Sequence, residues 1–168
     1  MHLHGCGQAA KKILGIDPGK MGGWATWDGE VLNLYAIPLS TKSKQTILTY
    51  ELAVAIQPTL DSHVAYVEFA ASRPRQSSTA TFSFGFNTGL IHGILSQAAV
   101  PMVTVAPSKW KKYYDIGPDK VESTALAADL FPRWANQFYG PRGGLKDGLA
   151  EAALIARYGW EMEHDDGT

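Results

Sequence analysis

Asp17, Glu68, Asp147 and Glu151 are the residues in this chain whose types and spacing could do chemistry together. Asp17 closes the apolar run Ile13-Leu14-Gly15-Ile16, and Glu68 closes a second, Val64-Ala65-Tyr66-Val67. Asp147 and Glu151 stand four apart in a helical segment, so they project from one face about a turn from each other. A fold that gathers these ends would bring the carboxylates to one point, where they repel one another unless cations intervene. All-oxygen donors of this kind suit Mg²⁺ or Mn²⁺. The chemistry implied is metal-dependent phosphodiester hydrolysis. Simpler readings exist: Asp17 also opens an Asp-Pro-Gly turn, and Asp147 and Glu151 could share a solvated face with Lys146 and Arg157. Glu68 is harder to explain that way, because a carboxylate ending a valine-rich strand is costly to bury unpaired.

The elements that must position these groups are legible in the pattern. Lys12 to Asp17 reads as a buried strand, Gly22 to Trp27 as a second after a glycine-rich turn, and Glu30 to Ile37 as a third after the Asp28-Gly29 turn. Ser43 to Ile56 has helical apolar spacing and stops at Pro58, and His63 to Phe69 returns to strand. Ser72 to Ser78 is a polar loop, and Thr79 to Ala99 is a long helix. Gly85, Gly89 and Gly93 recur every four residues along that helix. They mark either a close helix contact at a dimer interface or helix-on-sheet packing. Met102 to Val105 is a short strand. Ser108 caps a brief basic helix through Tyr114, Asp119 caps another reaching Leu130, Pro132 to Gly144 is a loop, and Leu145 to Trp160 is the last helix. This order predicts an α/β domain with a mixed five-stranded sheet, three antiparallel strands then two parallel, flanked by helices. The domain is expected over residues 12–160, between a flexible N-terminal segment, 1–11, and a flexible acidic tail, 161–168.

Composition bounds the class. The chain has 168 residues, 45% hydrophobic and 18% charged, which argues for one folded domain and against wholesale disorder. The net charge of −1 carries no global sign of a nucleic-acid partner, since an acidic centre can cancel lysines gathered on one face. Cys6 is the only cysteine, which excludes an intrachain disulfide and makes a cysteine-based zinc site a poor fit. No secretory signal and no apolar run near the ~20 residues of a membrane helix is evident. A cytoplasmic or nucleoid-associated protein is expected, in the host cytoplasm if the source is viral; an organellar matrix fits less well without an evident transit peptide.

Taken in order, Gly15-Ile16-Asp17-Pro18-Gly19, Val67-Glu68, Pro107-Ser108 with Lys111-Lys112, Asp119-Lys120, and Asp147 with Ala150-Glu151-Ala152 resemble the RuvC family of Holliday junction resolvases. That family belongs to the RNase H-like (retroviral integrase) superfamily, and the likeness spans about Lys12 to Gly159. The resemblance implies an RNase H-like fold and a homodimer that binds four-way DNA junctions and nicks two strands symmetrically, leaving 5′-phosphate and 3′-hydroxyl ends. It implies a crossover junction endodeoxyribonuclease of DNA recombination and repair. Asp17, Glu68, Asp147 and Glu151 would hold two Mg²⁺ ions, with Mn²⁺ able to substitute, and Lys112 would assist catalysis. One departure stands out: the family commonly ends with two aspartates three apart, whereas Asp147 and Glu151 are four apart and the second is longer.

The resemblance also suggests where DNA would bind. Lys109, Lys111 and Lys112, interleaved with Trp110, Tyr113 and Tyr114, form the densest basic segment, and the lysines could contact phosphates while an aromatic stacks on a base. Amphipathic packing, lysines out and aromatics in, is the plainer account. Lys120 joins the basic set. Arg73 and Arg75 begin the loop at which the family contacts the junction centre, and Phe82 or Phe84 could wedge against an unstacked pair, unless they pack in the core. His92 reads as structural. Rival functions are another RNase H-like nuclease acting on RNA–DNA hybrids or branched DNA, a catalytically silent junction-binding protein, and an actin-like nucleotide-binding protein. The last is disfavoured because a second phosphate loop is lacking and the chain is short for two lobes.

Overall fold

The computed structural model describes residues 11–40, 49–69 and 77–165. Five short strands form one sheet: β1 (Ile13–Asp17), β2 (Gly23–Trp27), β3 (Leu32–Ala36), β4 (Val64–Glu68) and β5 (Met102–Val105), in the spatial order β3-β2-β1-β4-β5. β1 pairs antiparallel with β2, and β2 with β3, while β1–β4 and β4–β5 are parallel. The expected mixed sheet is therefore present. Its third strand is shorter than the span from Glu30 to Ile37, because Asp28 Oδ1 accepts from the Glu30 and Val31 amides and commits them to the turn.

Among the described residues, five helices flank the sheet: α1 (Thr49–Ile56), α2 (Ser78–Gln97), α3 (Pro107–Tyr113), α4 (Lys120–Leu130) and α5 (Asp147–His164). Because side chains alternate along a strand, each strand serves two cores. Leu14, Ile16, Trp24, Ala65 and Val67 pack with Leu52 and Ile56 of α1 and Ile91 and Leu95 of α2. Ile13, Ala25, Val64 and Tyr66 face the other way, onto α5 and α4. Asp17 shares the parity of Ile13, and Glu68 that of Val64 and Tyr66, so both strand-end carboxylates fall on the α5 side.

α5 is seated unusually close on that face. A Cβ on Gly15 would lie 2.2 Å from the Ala156 amide nitrogen and 2.5 Å from the Ala152 carbonyl oxygen. At the other end of the contact, a Cβ on Gly148 would lie 2.1 Å from the Met21 carbonyl oxygen. The buried Ala150, Ala152, Ala153 and Ala156 complete a small-residue surface that allows a helix backbone to approach a strand backbone.

Several element ends differ from expectation. The first helix, expected from Ser43, is described only from Thr49; the segment before it lies outside the described residues. Pro58 does not end the helical path at once, because it is accommodated in the opening turn of a 3₁₀ segment, Gln57–Thr59. α3 starts one residue before Ser108, with Pro107 in its first turn and Ala106 as the N-cap, so Ser108 caps nothing. The span from Pro132 contains a 3₁₀ helix, Pro132–Phe138, because Phe138 is fully buried and must be delivered to the core. α5 begins at Asp147 rather than Leu145, whose neighbourhood forms an isolated bridge with Tyr139. It runs on to His164: Glu161 accepts from Tyr114 and Arg157, and Glu163 from Tyr66, so Glu161 to His164 is anchored helix rather than frayed tail. On α2, none of the described residues comes within 4 Å of where a Cβ on Gly85, Gly89 or Gly93 would lie. The stripe therefore faces away from the sheet, which rules out helix-on-sheet packing as its reason; Asn87, Thr88, Ile91 and Leu95 face inward instead.

Gly15→Ala should lower stability by about 3 kcal/mol, since neither contacting backbone can yield cheaply. That corresponds to a fall of about 6–12 °C in Tm for a domain of this size, measured by thermal unfolding.

Candidate active site

Parallel pairing places the C-terminal ends of β1 and β4 side by side, with Ile16 opposite Val67, so Asp17 and Glu68 leave the sheet as neighbours. The crevice beyond the carboxyl ends of parallel strands is a general position for sites in α/β sheets. α5 then lays its first turns across the same end and brings Asp147 and Glu151 to it. Asp17 is 8% exposed, Glu68 9% and Glu151 8%; Asp147, at the first position of its helix, is more open. The helix N-terminus favours a negative charge at Asp147.

The electrostatics show that these groups feel one another. Burial pushes the Asp17 carboxyl up to about 6, with further upward pressure from Glu151 and Asp147 and opposition from the Gly19 amide and Lys120. Burial likewise raises Glu68 to about 7, Asp17 adding to the rise, while the Trp110 N–H, and less strongly Lys111, pull it down. The Gly19 amide donates to Asp17 Oδ1 at 2.8 Å, so Asp17 does open a turn as well as face the crevice.

Two lysines supply the compensating charge. Lys111 Nζ, on α3, donates to Glu151 Oε1 at 2.6 Å with both side chains largely buried. Lys120, at the start of α4, pairs with Asp147, which raises the lysine pKa above its ordinary value. Ser123 Oγ, fully buried on α4, lies 3.3 Å from Glu151 Oε1 and 3.4 Å from Lys111 Nζ. From α3, Trp110 Nε1 donates to Glu68 Oε2 at 2.8 Å. The like-charge pair on α5 is thus tolerated because each carboxylate has its own ammonium partner. An adjoining cleft of about 780 Å³ is lined by Glu68, Glu151, Lys111, Lys112 and Lys120 among others.

Thermus thermophilus RuvC in complex with Holliday junction substrate superposes with a TM-score of 0.60 at 16% identity, covering 90% of this chain and 94% of that one. The chain has the fold of the RuvC resolvases. Thermus thermophilus RuvC by itself gives a TM-score of 0.56 at 15% identity, covering 90% and 95% of the two chains. The yeast mitochondrial Holliday junction resolvase Ydc2 gives 0.59 at 17% identity, covering 90% and 78%. No protein-family model and no curated protein matches the sequence.

Within this RuvC-like fold, the four carboxylates named from sequence lie toward one end of the sheet, where Asp17 is within electrostatic reach of Glu68, Glu151 and Asp147. Among the described residues no three acidic, His or Cys side chains converge closely enough to hold an ion as they stand. The donors nevertheless suit a hard divalent cation: all are oxygens, three are buried, and Asp17 and Glu68 are raised partly by their acidic neighbours. Asp17, Glu68, Asp147 and Glu151 are the residues that would hold such an ion.

The basic and aromatic candidates separate into groups. Lys111 and Lys120 turn onto carboxylates, whereas Lys109 and Lys112 are exposed. Trp110 is fully buried and cannot stack on a base, the plainer amphipathic account being the right one for it. Tyr114 points to Glu161 and Tyr113 packs on Tyr158. Phe82 is 74% exposed and stacks on the exposed Phe86 with centroids 6.4 Å apart, while Phe84 is half-buried. Arg73 and Arg75 lie outside the described residues. Sequence reasoning missed Trp110 and Ser123 as partners of the carboxylates. A signal existed for Trp110, a donor-bearing ring on the apolar side of an amphipathic helix; none existed for Ser123.

The raised carboxyls carry a pH signature. An acid whose folded pKa exceeds its unfolded value holds more protons when folded, so its contribution favours the fold at low pH and fades as pH rises. For Asp17 and Glu68 the window runs from the ordinary 3.8 and 4.5 to about 6 and about 7. In EDTA at pH 8, Asp17→Asn and Glu68→Gln should each be about 1–3 kcal/mol more stable than wild type, with the gain vanishing near pH 4. Urea unfolding across pH 4–8 measures this difference.

Proposed function

We propose that this protein is a structure-selective endonuclease that resolves four-way DNA junctions by metal-dependent hydrolysis. The observation that carries this reading is the convergence of Asp17, Glu68, Asp147 and Glu151 at the carboxyl end of β1 and β4, in a fold shared with junction resolvases. Mg²⁺ or Mn²⁺ held by these carboxylates would supply Lewis-acid stabilisation of the phosphodiester and an activated water, for in-line displacement leaving 5′-phosphate and 3′-hydroxyl ends. The chain's own residues do the rest. Asp17, Glu68 and Glu151 are buried and so present their oxygens from a protected end of the sheet. Lys111 and Lys120 balance the negative charge at that end, and Lys112, exposed on the cleft wall, faces an approaching backbone phosphate. Lys109 extends the same basic helix, and Arg73, Arg75, Phe82 and Phe84 are assigned to the junction centre.

Symmetric cutting needs two active sites, and we assign the dimer contact to the outward face of α2. That face carries the glycine stripe, Gly85, Gly89 and Gly93, with the exposed Phe86 beside it. Lys111 and Lys120 on the carboxylates also support a second reading, a junction-binding protein without catalysis, in which the ammonium groups stand permanently where cations would.

One assay decides between the readings: labelled four-way junction, linear duplex, fork and RNA–DNA hybrid, each with Mg²⁺ or with EDTA. Paired symmetric nicks confined to the four-way junction and lost in EDTA are expected. Equal cutting of the hybrid would sink the resolvase reading, and junction binding without nicks would favour the silent binder. Asp17→Asn should retain binding while reducing cleavage at least ~10³-fold. Replacing Lys109 and Lys112 with Ala should weaken junction binding and reduce the slope of log affinity against log salt by about 2. A Gly89→Arg variant should sediment as a monomer where the wild type sediments as a dimer.

A further inference from the structure

We infer that Trp110 is a positioning residue for Glu68, its indole N–H holding one carboxylate oxygen so that the other is presented to the cation. The inference rests on the metal-dependent nuclease reading and deepens it by assigning a residue outside the ligand set.

Trp110 lies on α3 and Glu68 ends β4, 42 residues earlier, yet Nε1 and Oε2 are 2.8 Å apart. The tryptophan is completely buried and Glu68 is 9% exposed, so water competes poorly for this bond. An indole nitrogen only donates, whereas an ionised carboxylate only accepts. The bond engages Oε2 alone, so Oε1 is the oxygen that a cation would take. Glutamate has three side-chain torsions, and a carboxylate buried beside Asp17 gains by turning away from it; the indole tether removes that freedom. The ring is wedged among buried residues of the core beneath α5 and α4, so its direction is set by packing. This is how an outer partner of a ligand acts: it fixes orientation without touching the ion.

The next residue on the same helix does the corresponding work on the other glutamate. Lys111 Nζ is 2.6 Å from Glu151 Oε1 and sits 4.9 Å from the Trp110 ring centroid. Two consecutive residues of α3 thus hold carboxylates delivered by β4 and α5. Lys111 is exchangeable, since a cation could replace its charge. The uncharged Trp110 donor is compatible with a bound cation, and so serves the loaded site as well.

Packing and donation can be separated experimentally. Trp110→Phe removes the N–H with some loss of volume, and β-(3-benzothienyl)alanine at position 110 keeps the bicyclic shape while lacking the N–H. Mn²⁺ binding is measured by calorimetry on the full chain without DNA, beside wild type, Glu68→Gln and the Glu68→Gln/Trp110→Phe double variant. Both N–H-less proteins should bind Mn²⁺ about 10–100-fold more weakly. Their cleavage should require correspondingly more Mg²⁺, with much of the rate regained at saturation. In the Glu68→Gln background the Trp110 change should cost little further affinity, because the effect runs through that carboxylate. Unchanged Mn²⁺ affinity in the benzothienyl variant, whatever its Tm, would overturn the assignment and leave the nuclease reading standing. Wild type and Glu68→Gln both failing to bind Mn²⁺ would overturn the nuclease reading, and the assignment with it.

Discussion

The close seat of α5 on β1 is the constraint from which the candidate site follows. Gly15 leaves room for the backbone around Ala152 and Ala156, and Gly148 leaves room for the Met21 carbonyl. With both ends of the contact fixed, the helix has little freedom to rotate or slide. Asp147 and Glu151 are then delivered to the end of the sheet where Asp17 and Glu68 emerge. A helix held further off by larger side chains would carry the same carboxylates without bringing them together. The apolar side of the arrangement is ordinary packing, but its consequence is an acidic crevice that could not form by local preference.

That crevice is costly in a resting protein, and the structure distributes the compensation over separate elements. β1 and β4 contribute buried carboxyls that are pushed up by burial and by each other. α3 and α4 contribute Lys111 and Lys120, which meet the α5 carboxylates, and Trp110, which meets Glu68. The site is an electrostatic joint between the strands and three helices, and a cation entering it would compete with lysines that are already present. This explains how Asp147 and Glu151 coexist one turn apart, and why Glu151, despite its unusual spacing and extra methylene, lies buried among partners rather than in solvent.

Much of this organisation is legible in the linear pattern where the physics is local. Alternation and apolar runs identify β1, β2, β4 and β5, the Asp28-Gly29 turn identifies the hairpin, and Asp119 is the N-cap of α4, accepting from the Val121 amide. Errors fall where tertiary packing overrides a local signal. Ser108 has the chemistry of a cap, but Pro107 already starts α3 one residue earlier. Glu161 to His164 is polar enough to suggest a frayed end, yet Tyr66, Tyr114 and Arg157 hold it helical. The glycines of α2 are periodic in either orientation, and only the inward direction of Ile91 and Leu95 shows that the stripe faces out.

By itself the sequence determined which carboxylates stand at strand ends, which parity they share with the apolar residues before them, and that Asp147 and Glu151 occupy one helix face. Those properties follow from the two-residue period of a strand and the 3.6-residue period of a helix, which are written into every position. Only the tertiary structure decided that Lys111 and Lys120 turn onto the carboxylates while Lys112 faces the cleft, and that Trp110 is a buried donor rather than an exposed stacking platform. Such pairings join residues from 27 to 42 positions apart in the chain. They depend on how far each helix is rotated about its own axis against its neighbours, and that angle is set by the packing of the whole core.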